Sequence, residues 1–244
     1  MGEIIPLILA AGRGIRLGCE NLPKPMEPVA GRPLVQTAVE SLFKIGFSPS
    51  EIKAVIGFKG EVIKGYFGAD LTYFLQQVLN GNAGAIDTFF TGTNTASDKH
   101  ILTIHGDDAD QATVENLQQI IHFHIRRNAD ISILTVNKPD PDSHRIEYVY
   151  SYDGQVIDLI PRNSEDVNGR YTAGIYIFSG MFLNQFLPVL KSGTPENAEL
   201  GISRLIRLAV DSNRRVFQLC SHKDYISVNT PRGLQILRER GTNY

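Results

Sequence analysis

The sequence predicts an α/β protein, built on an open, mostly parallel β-sheet with helices on both faces. Three observations lead there. Short apolar runs rich in β-type residues alternate with helical patterns through the first half of the chain. The first of these runs, Ile4 to Ala10, is apolar almost throughout, as a strand buried on both faces must be. With 244 residues, 42% hydrophobic and 20% charged, the chain has enough apolar material to cover both sides of a sheet.

Taken in order, the first strand contains Pro6, which is awkward in a ladder and points to a strand end or an edge position. After Pro33, Leu34 to Phe43 places Leu34, Val35, Ala38, Val39 and Leu42 at amphipathic helical spacing. Strands are expected at Ile52 to Phe58, Leu71 to Leu75 and Ile101 to Ile104. Helices fall between them at Glu61 to Phe67, closed by Gly68, and at Ala83 to Phe90. A long helix from Val114 to Arg127 leads to a strand at Ile131 to Val136. The second half changes character. Asp153-Gly154 separates Arg145 to Tyr152 from Gln155 to Ile160, a strong hairpin signal. A strand at Ala173 to Phe178, helices at Met181 to Leu190 and Ala198 to Ala209, and a strand at Arg215 to Leu219 follow. Pro231 opens a C-terminal helix. Neither a repeat nor a linker divides the chain, so one domain over residues 1–244 is expected.

Lys and Arg total 24 against 26 Asp and Glu, a net charge of -2, which leaves no electrostatic footprint for nucleic acid or an anionic membrane. Cys19 and Cys220 belong to no metal-ligand spacing and read as free thiols of a reducing compartment. The apolar start, Met1 to Ala11, carries Glu3 and is far too short to span a bilayer. A cytoplasmic protein is the expectation. His122, His124 and His222 show no catalytic spacing; His122 and His124 lie two apart on a helix and so face different directions.

The most informative stretch follows the first strand. Leu9-Ala10-Ala11-Gly12-Arg13-Gly14-Ile15-Arg16-Leu17 runs from a buried strand into a glycine turn. Gly12 and Gly14 let backbone N–H groups approach phosphate oxygens, and Arg13, Arg16 and Lys24 add cations suited to a triphosphate. Two commoner phosphate loops do not fit. The dinucleotide fingerprint G-x-G-x-x-G needs its third glycine one place before Gly18 and a helix directly after it, which Pro23, Pro25, Pro28 and Pro33 forbid. A Walker A loop needs a closing Gly-Lys-Ser/Thr, and this loop lacks one.

Together with Leu22-Pro23-Lys24-Pro25 and Pro28-Val29-Ala30-Gly31-Arg32-Pro33-Leu34, the segment from Leu9 to Leu34 resembles the signature of the sugar-phosphate nucleotidyltransferases. The likeness is greatest to the enzymes that uridylylate N-acetylglucosamine 1-phosphate or thymidylylate glucose 1-phosphate. It implies a Rossmann-like, three-layer form of the α/β class, with an open, mixed, mostly parallel sheet. It also implies a nucleotide-binding half at about 1–110 and an acceptor-binding half at about 111–244. By the resemblance, Leu9, Ala10, Ala11, Gly12 and Gly14 cradle the nucleotide, and Arg16 and Lys24 are the catalytic cations on the triphosphate. Gln76, Gly81 and Asn82 resemble the base-reading segment, a Gln followed five residues later by Gly. A Gln amide can serve both a donor and an acceptor of uracil or thymine, which favours UTP or dTTP. Asp107, at the end of Ile101-Leu102-Thr103-Ile104-His105-Gly106-Asp107-Asp108, would be a Mg²⁺ ligand with Asn229 as its partner. Asp108 and Asp110 read better as helix N-terminal acids.

On the acceptor side the resemblance implies contacts from Arg162, Thr172 and Gly174. The pattern departs from N-acetylglucosamine-specific relatives at His144, Pro161 and Thr172-Ala173, which argues against that sugar phosphate. The expected reaction is single displacement: a sugar 1-phosphate attacks the α-phosphorus of the triphosphate with Mg²⁺ present, and pyrophosphate leaves. A same-fold enzyme for phosphocholine, a polyol phosphate or a modified sugar, and a non-catalytic nucleotide-sensing domain, remain as alternatives. The expected partners are thus a nucleoside triphosphate and a sugar 1-phosphate, with a homo-oligomer left open.

Overall fold

The structure is a computed structural model, and it describes residues 3–14, 21–93, 98–137, 148–160, 170–222, 228 and 231–240. In chain order the elements are β1 (Ile4–Ala10), β2 (Pro28–Val29), β3 (Arg32–Pro33), α1 (Gln36–Lys44), β4 (Lys53–Ile56), α2 (Gly60–Phe67), β5 (Thr72–Leu75), α3 (Asn82–Thr93) and β6 (His100–His105). They continue with α4 (Val114–Arg127), β7 (Ile131–Val136), β8 (Tyr148–Tyr152), β9 (Gln155–Ile160), β10 (Arg170–Ser179), α5 (Gly180–Ser192), α6 (Ile202–Asp211), β11 (Val216–Ser221) and α7 (Pro231–Arg240).

Among the described residues, nine strands form one sheet in the order β5-β4-β1-β6-β10-β7-β11-β9-β8. β5, β4, β1 and β6 run parallel, and β7 and β11 share their direction. β10 is inserted antiparallel between β6 and β7. The mixed, mostly parallel sheet is therefore as expected. Six carboxyl strand ends consequently meet along one rim, and the antiparallel β10 brings its start, from Arg170, to that rim as well.

The period-two alternation of β1 divides the core. Ile4, Ile8 and Ala10 face a cluster containing Ala38, Val39 and Leu42 of α1, Ile63 of α2, and Leu117 and Ile120 of α4. Leu7 and Leu9 face the opposite cluster, with Ile86 and Phe89 of α3, Phe182 of α5 and Leu205 of α6. Helices on both faces make the third layer. Pro6 sits inside β1 but at a locally one-sided stretch. β6 runs beside it from Ile4, whereas β4 joins only at Leu7.

Several boundaries moved for identifiable reasons. Residues 28–33, to which the sequence pattern assigns no strand or helix, form the β2–β3 hairpin, turned by Ala30 (φ 50°) and Gly31 (φ 79°). Lys24–Met26 makes a single 3₁₀ turn, which prolines at its start permit where an α-helix is excluded. α6 starts at Ile202 rather than Ala198, because the preceding backbone is held extended: Leu200 N–H donates to Asn80 C=O at 2.6 Å. β10 is longer than expected, since a bulge between Thr172 and Tyr176 carries it past Gly174 without breaking the strand. α4 keeps its predicted bounds, capped by the Thr113 hydroxyl accepting from Asn116 N–H at 3.3 Å and by Asn128 in the left-handed region.

Candidate active site

The rim of carboxyl strand ends is where the predicted residues collect. β1 ends at Ala10, and Ala11 C=O accepts from Phe58 N–H (3.0 Å) beyond β4. Leu9 C=O accepts from Gly106 N–H (3.0 Å) beyond β6. The glycine loop is thus anchored on both sides by its neighbours. Gly14 takes φ +62°, and a Cβ there would lie 2.9 Å from Lys24 Cβ, so the glycine lets Lys24 pass beneath the loop. Gly12 is exposed and not left-handed, with nothing within 4 Å of where a Cβ would stand. Its backbone is open to a ligand. Arg13 is exposed.

Lys24, buried at the start of its 3₁₀ turn, places Nζ 2.5 Å from Asp107 Oδ2. Burial works to raise the Asp107 pKa, but the Lys24 ammonium and the neighbouring His105 outweigh it and hold the carboxyl down at about 2. The pair was foreseen as two separate roles; the fold makes it one unit.

Asp107 also belongs to a cluster with His105 and Asp108, whose ligand atoms all lie within 4.8 Å of one another. Carboxylate oxygens suit Mg²⁺, so Asp107 and Asp108 fit such an ion; the imidazole is a softer donor. His105 Nδ1 stands 3.5 Å from Asp108 Oδ2. Burial opposes the imidazolium there, while Asp108 and Asp107 favour it, and the net effect raises the His105 pKa. His105 carries no motif signal of its own, and Asp108 is expected from sequence to be a helix N-terminal acid. Asp108 does precede a 3₁₀ turn, Ala109–Gln111, and accepts from Gln111 N–H through its backbone. Its side chain, however, is buried against the rim. The His-Gly-Asp-Asp string was the available signal.

On the nucleotide side, Gln76 is buried after β5. Its Nε2 donates to Gly81 C=O (3.2 Å) and Asn80 Oδ1 (2.8 Å), and a carbonyl can only accept, so the orientation is fixed. Both amide protons are engaged within the protein, which leaves Oε1 as the group for a ligand. Gly81 has φ +100°, and a Cβ there would lie 2.7 Å from Leu200 C=O. Asn82 Oδ1 accepts from Ile202 N–H (2.7 Å) and Ala83 N–H (3.0 Å). Its Nδ2 lies 3.5 Å from His105 Nε2.

On the acceptor side, Thr172 pairs with Thr135 of β7. Gly174, at φ +71°, packs so closely on the Asp108 carboxylate that no Cβ would fit. Arg16, Arg162 and Asn229, along with Cys19, lie outside the described residues. Cys220 is a free thiol. A separate cleft between the β2–β3 hairpin, α1 and α7 is lined by Val29, Arg32, Leu34, Thr37, Asp110 and Leu237, and contains none of the predicted site residues. No helix among the described residues is long and apolar enough to cross a membrane.

A carboxylate-ammonium pair, flanked by an open glycine backbone and a fixed amide oxygen, is equipped to hold a polyanion with a metal. The family model described as Nucleotidyl transferase matches residues 5–225, and the chain belongs to that family. The bifunctional protein GlmU of Thermotoga petrophila is 29% identical over 199 residues, covering 79% of this chain and 41% of that protein. GlmU of Geobacillus thermodenitrificans is 29% identical over 185 residues, 74% of this chain and 39% of its own. The chain thus spans about two-fifths of the curated relatives it matches. A Bacillus anthracis structure assigned as a glucose-1-phosphate thymidylyltransferase, in complex with sucrose, superposes with a TM-score of 0.80 at 18% identity. That match covers 99% of this chain and 96% of the other, and shows the shared fold.

Proposed function

We propose that the protein transfers a nucleotidyl group from UTP or dTTP to a sugar 1-phosphate, releasing pyrophosphate. The observation that carries this reading is the 2.5 Å Lys24–Asp107 pair beneath the glycine loop. The triphosphate lies along residues 9–14, with Gly12 offering open backbone and Lys24 beside the α-phosphate. Asp107 and Asp108, with Asn229 from the C-terminal region, are the residues to hold Mg²⁺. When bound, Mg²⁺ supplies charge neutralisation and Lewis-acid polarisation of the phosphates. Gln76 Oε1 accepts from the one ring N–H of uracil or thymine, and the close approach of Gly81 to Leu200 bounds the base pocket. A phosphate oxygen of the acceptor forms the new bond to the α-phosphorus as the bond to the β-phosphate oxygen breaks. No protein nucleophile or base is needed, because the acceptor is ionised at neutral pH. Lys24 stabilises the anionic centre. Arg16 draws on the departing pyrophosphate.

Residues 1–110 serve the nucleotide and 111–244 the acceptor, with Thr172, Gly174 and Arg162 as the residues assigned to the sugar phosphate. A nucleoside triphosphate donor implies a cytoplasmic reaction. The departures from the N-acetylglucosamine pattern at Pro161 and Thr172-Ala173 make acceptor identity the open variable. Pyrophosphate release is to be measured over the five common triphosphates and a panel of sugar 1-phosphates, phosphocholine and polyol phosphates. Turnover is expected with UTP or dTTP and a sugar 1-phosphate, and its abolition by Asp107→Ala. Full turnover in Asp107→Ala would overturn the assignment, and turnover only with phosphocholine or a polyol phosphate would replace the acceptor class.

A further inference from the structure

Three polar side chains on the rim, Asn82, His105 and Asp108, connect the two halves of the site. Asn82 opens α3, directly after the Gln76–Gly81 base segment. Its Oδ1 accepts two backbone protons, one from Ala83 in its own helix and one from Ile202 at the start of α6, 120 positions away. That double acceptance fixes the amide and turns Nδ2 toward His105 Nε2 at 3.5 Å. In the neutral ring, Nε2 accepts from Asn82 and the ring proton sits on Nδ1, facing Asp108 Oδ2. Asp108 in turn lies against Gly174, whose lack of a Cβ and φ of +71° let β10 approach. The same region is clasped by backbone: Leu200 N–H to Asn80 C=O at 2.6 Å, and Ala83 N–H to Leu200 C=O at 2.9 Å.

We propose that Asn82, His105 and Asp108 form a positioning relay that ties the nucleotide-side loop to the acceptor strand, holding the two substrate subsites at a fixed separation across Asp107. The relay rests on the nucleotidyl-transfer reading for its purpose, but its mechanics are independent of any ligand. Asn82 thereby acts through the segment it pins, not by contacting the nucleotide, and His105 acts through Asn82 and Asp108.

Two readouts test this. The first is amide hydrogen exchange at Ile202 in the ligand-free protein. The second is calorimetric binding of Mg–UTP and Mg–dTTP. His105→Phe keeps a ring against Tyr176, whose ring centroid is 5.6 Å from that of His105, but has no nitrogens. His105→Gln keeps an acceptor and a donor without the ring. The relay predicts that Asn82→Ala and His105→Phe speed exchange at Ile202 about tenfold and weaken nucleotide binding about tenfold, roughly the effect of one buried hydrogen bond. His105→Gln should stay within about threefold of wild type in both. A role in packing alone predicts the reverse order, with Phe tolerated and Gln not, and that order would sink the proposal. If wild type and all variants bind nucleotide equally and exchange alike, the relay fails while the enzyme reading stands. If exchange follows the predicted order but no triphosphate binds the wild type, the relay stands and the enzyme reading fails.

Discussion

Lys24 and Asp107 are 83 positions apart in sequence and 2.5 Å apart in space, and each sets the condition of the other. The carboxylate, held at about 2 by the ammonium and His105, stays ionised at any physiological pH and so keeps its capacity to hold a cation. Because its folded pKa lies below the ordinary 3.8, its stabilising contribution is whole above about pH 4 and is lost as pH falls toward 2. Lys24→Met removes the ammonium while keeping the stem, and leaves Asp107 without its closest counter-charge. Turnover is expected to fall by about 100-fold or more, since a fixed charge on the transition state is lost. Stability should drop by about 2–4 kcal/mol, a share of which returns in the double variant Lys24→Met/Asp107→Asn. Urea unfolding of the two single variants and the double reads this coupling directly. Strict additivity would mean that the pair does not act as a unit.

At the scale of elements, the glycines with left-handed backbone report where segments meet. Gly81 (φ +100°) faces Leu200 C=O, and Gly68 (φ +53°), which ends α2, faces open space. Gly81→Ala therefore combines backbone strain with a clash against backbone that is itself hydrogen-bonded to Ala83 and Asn80. It should cost about 2–3 kcal/mol and depress nucleotide affinity, against about 1 kcal/mol and no affinity change for Gly68→Ala. Thermal melts with nucleotide titrations compare the two; equal losses would show that the approach to Leu200 is of no consequence. The same contacts explain what could be read from sequence. β1, α4, β7 and β9 follow their hydrophobic periodicity to the residue, because burial on a given face decides them. The β2–β3 hairpin and the start of α6 do not, because a two-residue strand between prolines carries no period, and Leu200, just before α6, is tied to Asn80 of a distant loop. The site divides in the same way. Lys24, Gly14 and Asp107 are legible from local pattern, since a glycine turn, a nearby cation and a strand ending in Gly-Asp lie in short strings. His105 and Asp108 acquire meaning only when Asn82 and Gly174 are brought to them by the sheet.

For the whole molecule, a second contribution to acid stability comes from the opposite end of the sheet. His124, fully buried on α4, lies 2.9 Å from Ser132 Oγ and 3.0 Å from His100 Nδ1, at the amino end of β6. Burial, and then the proximity of His100, push its pKa down to about 3 from 6.5. His100 is lowered too, by burial. The folded protein keeps His124 neutral where the unfolded chain takes up a proton, so stability is whole above about pH 6.5, falls on acidification, and levels off near pH 3. The loss from this residue at pH 4 is on the order of 3 kcal/mol. His124→Gln should flatten the dependence of the urea midpoint on pH between 7 and 4; an unchanged slope would assign acid sensitivity to other groups. The fold as a whole places six parallel strand ends and the start of β10 on one rim, with Asp107 beside it. The central claim is that bond-making occurs at the α-phosphate. It is tested most directly by supplying UTP or dTTP labelled separately in the α- and γ-phosphates, together with Mg²⁺ and a sugar 1-phosphate. The account predicts the α label in a sugar nucleotide and the γ label in pyrophosphate, both only when acceptor is present. Appearance of the γ label as inorganic phosphate, with the α label left in a free diphosphate, would contradict it.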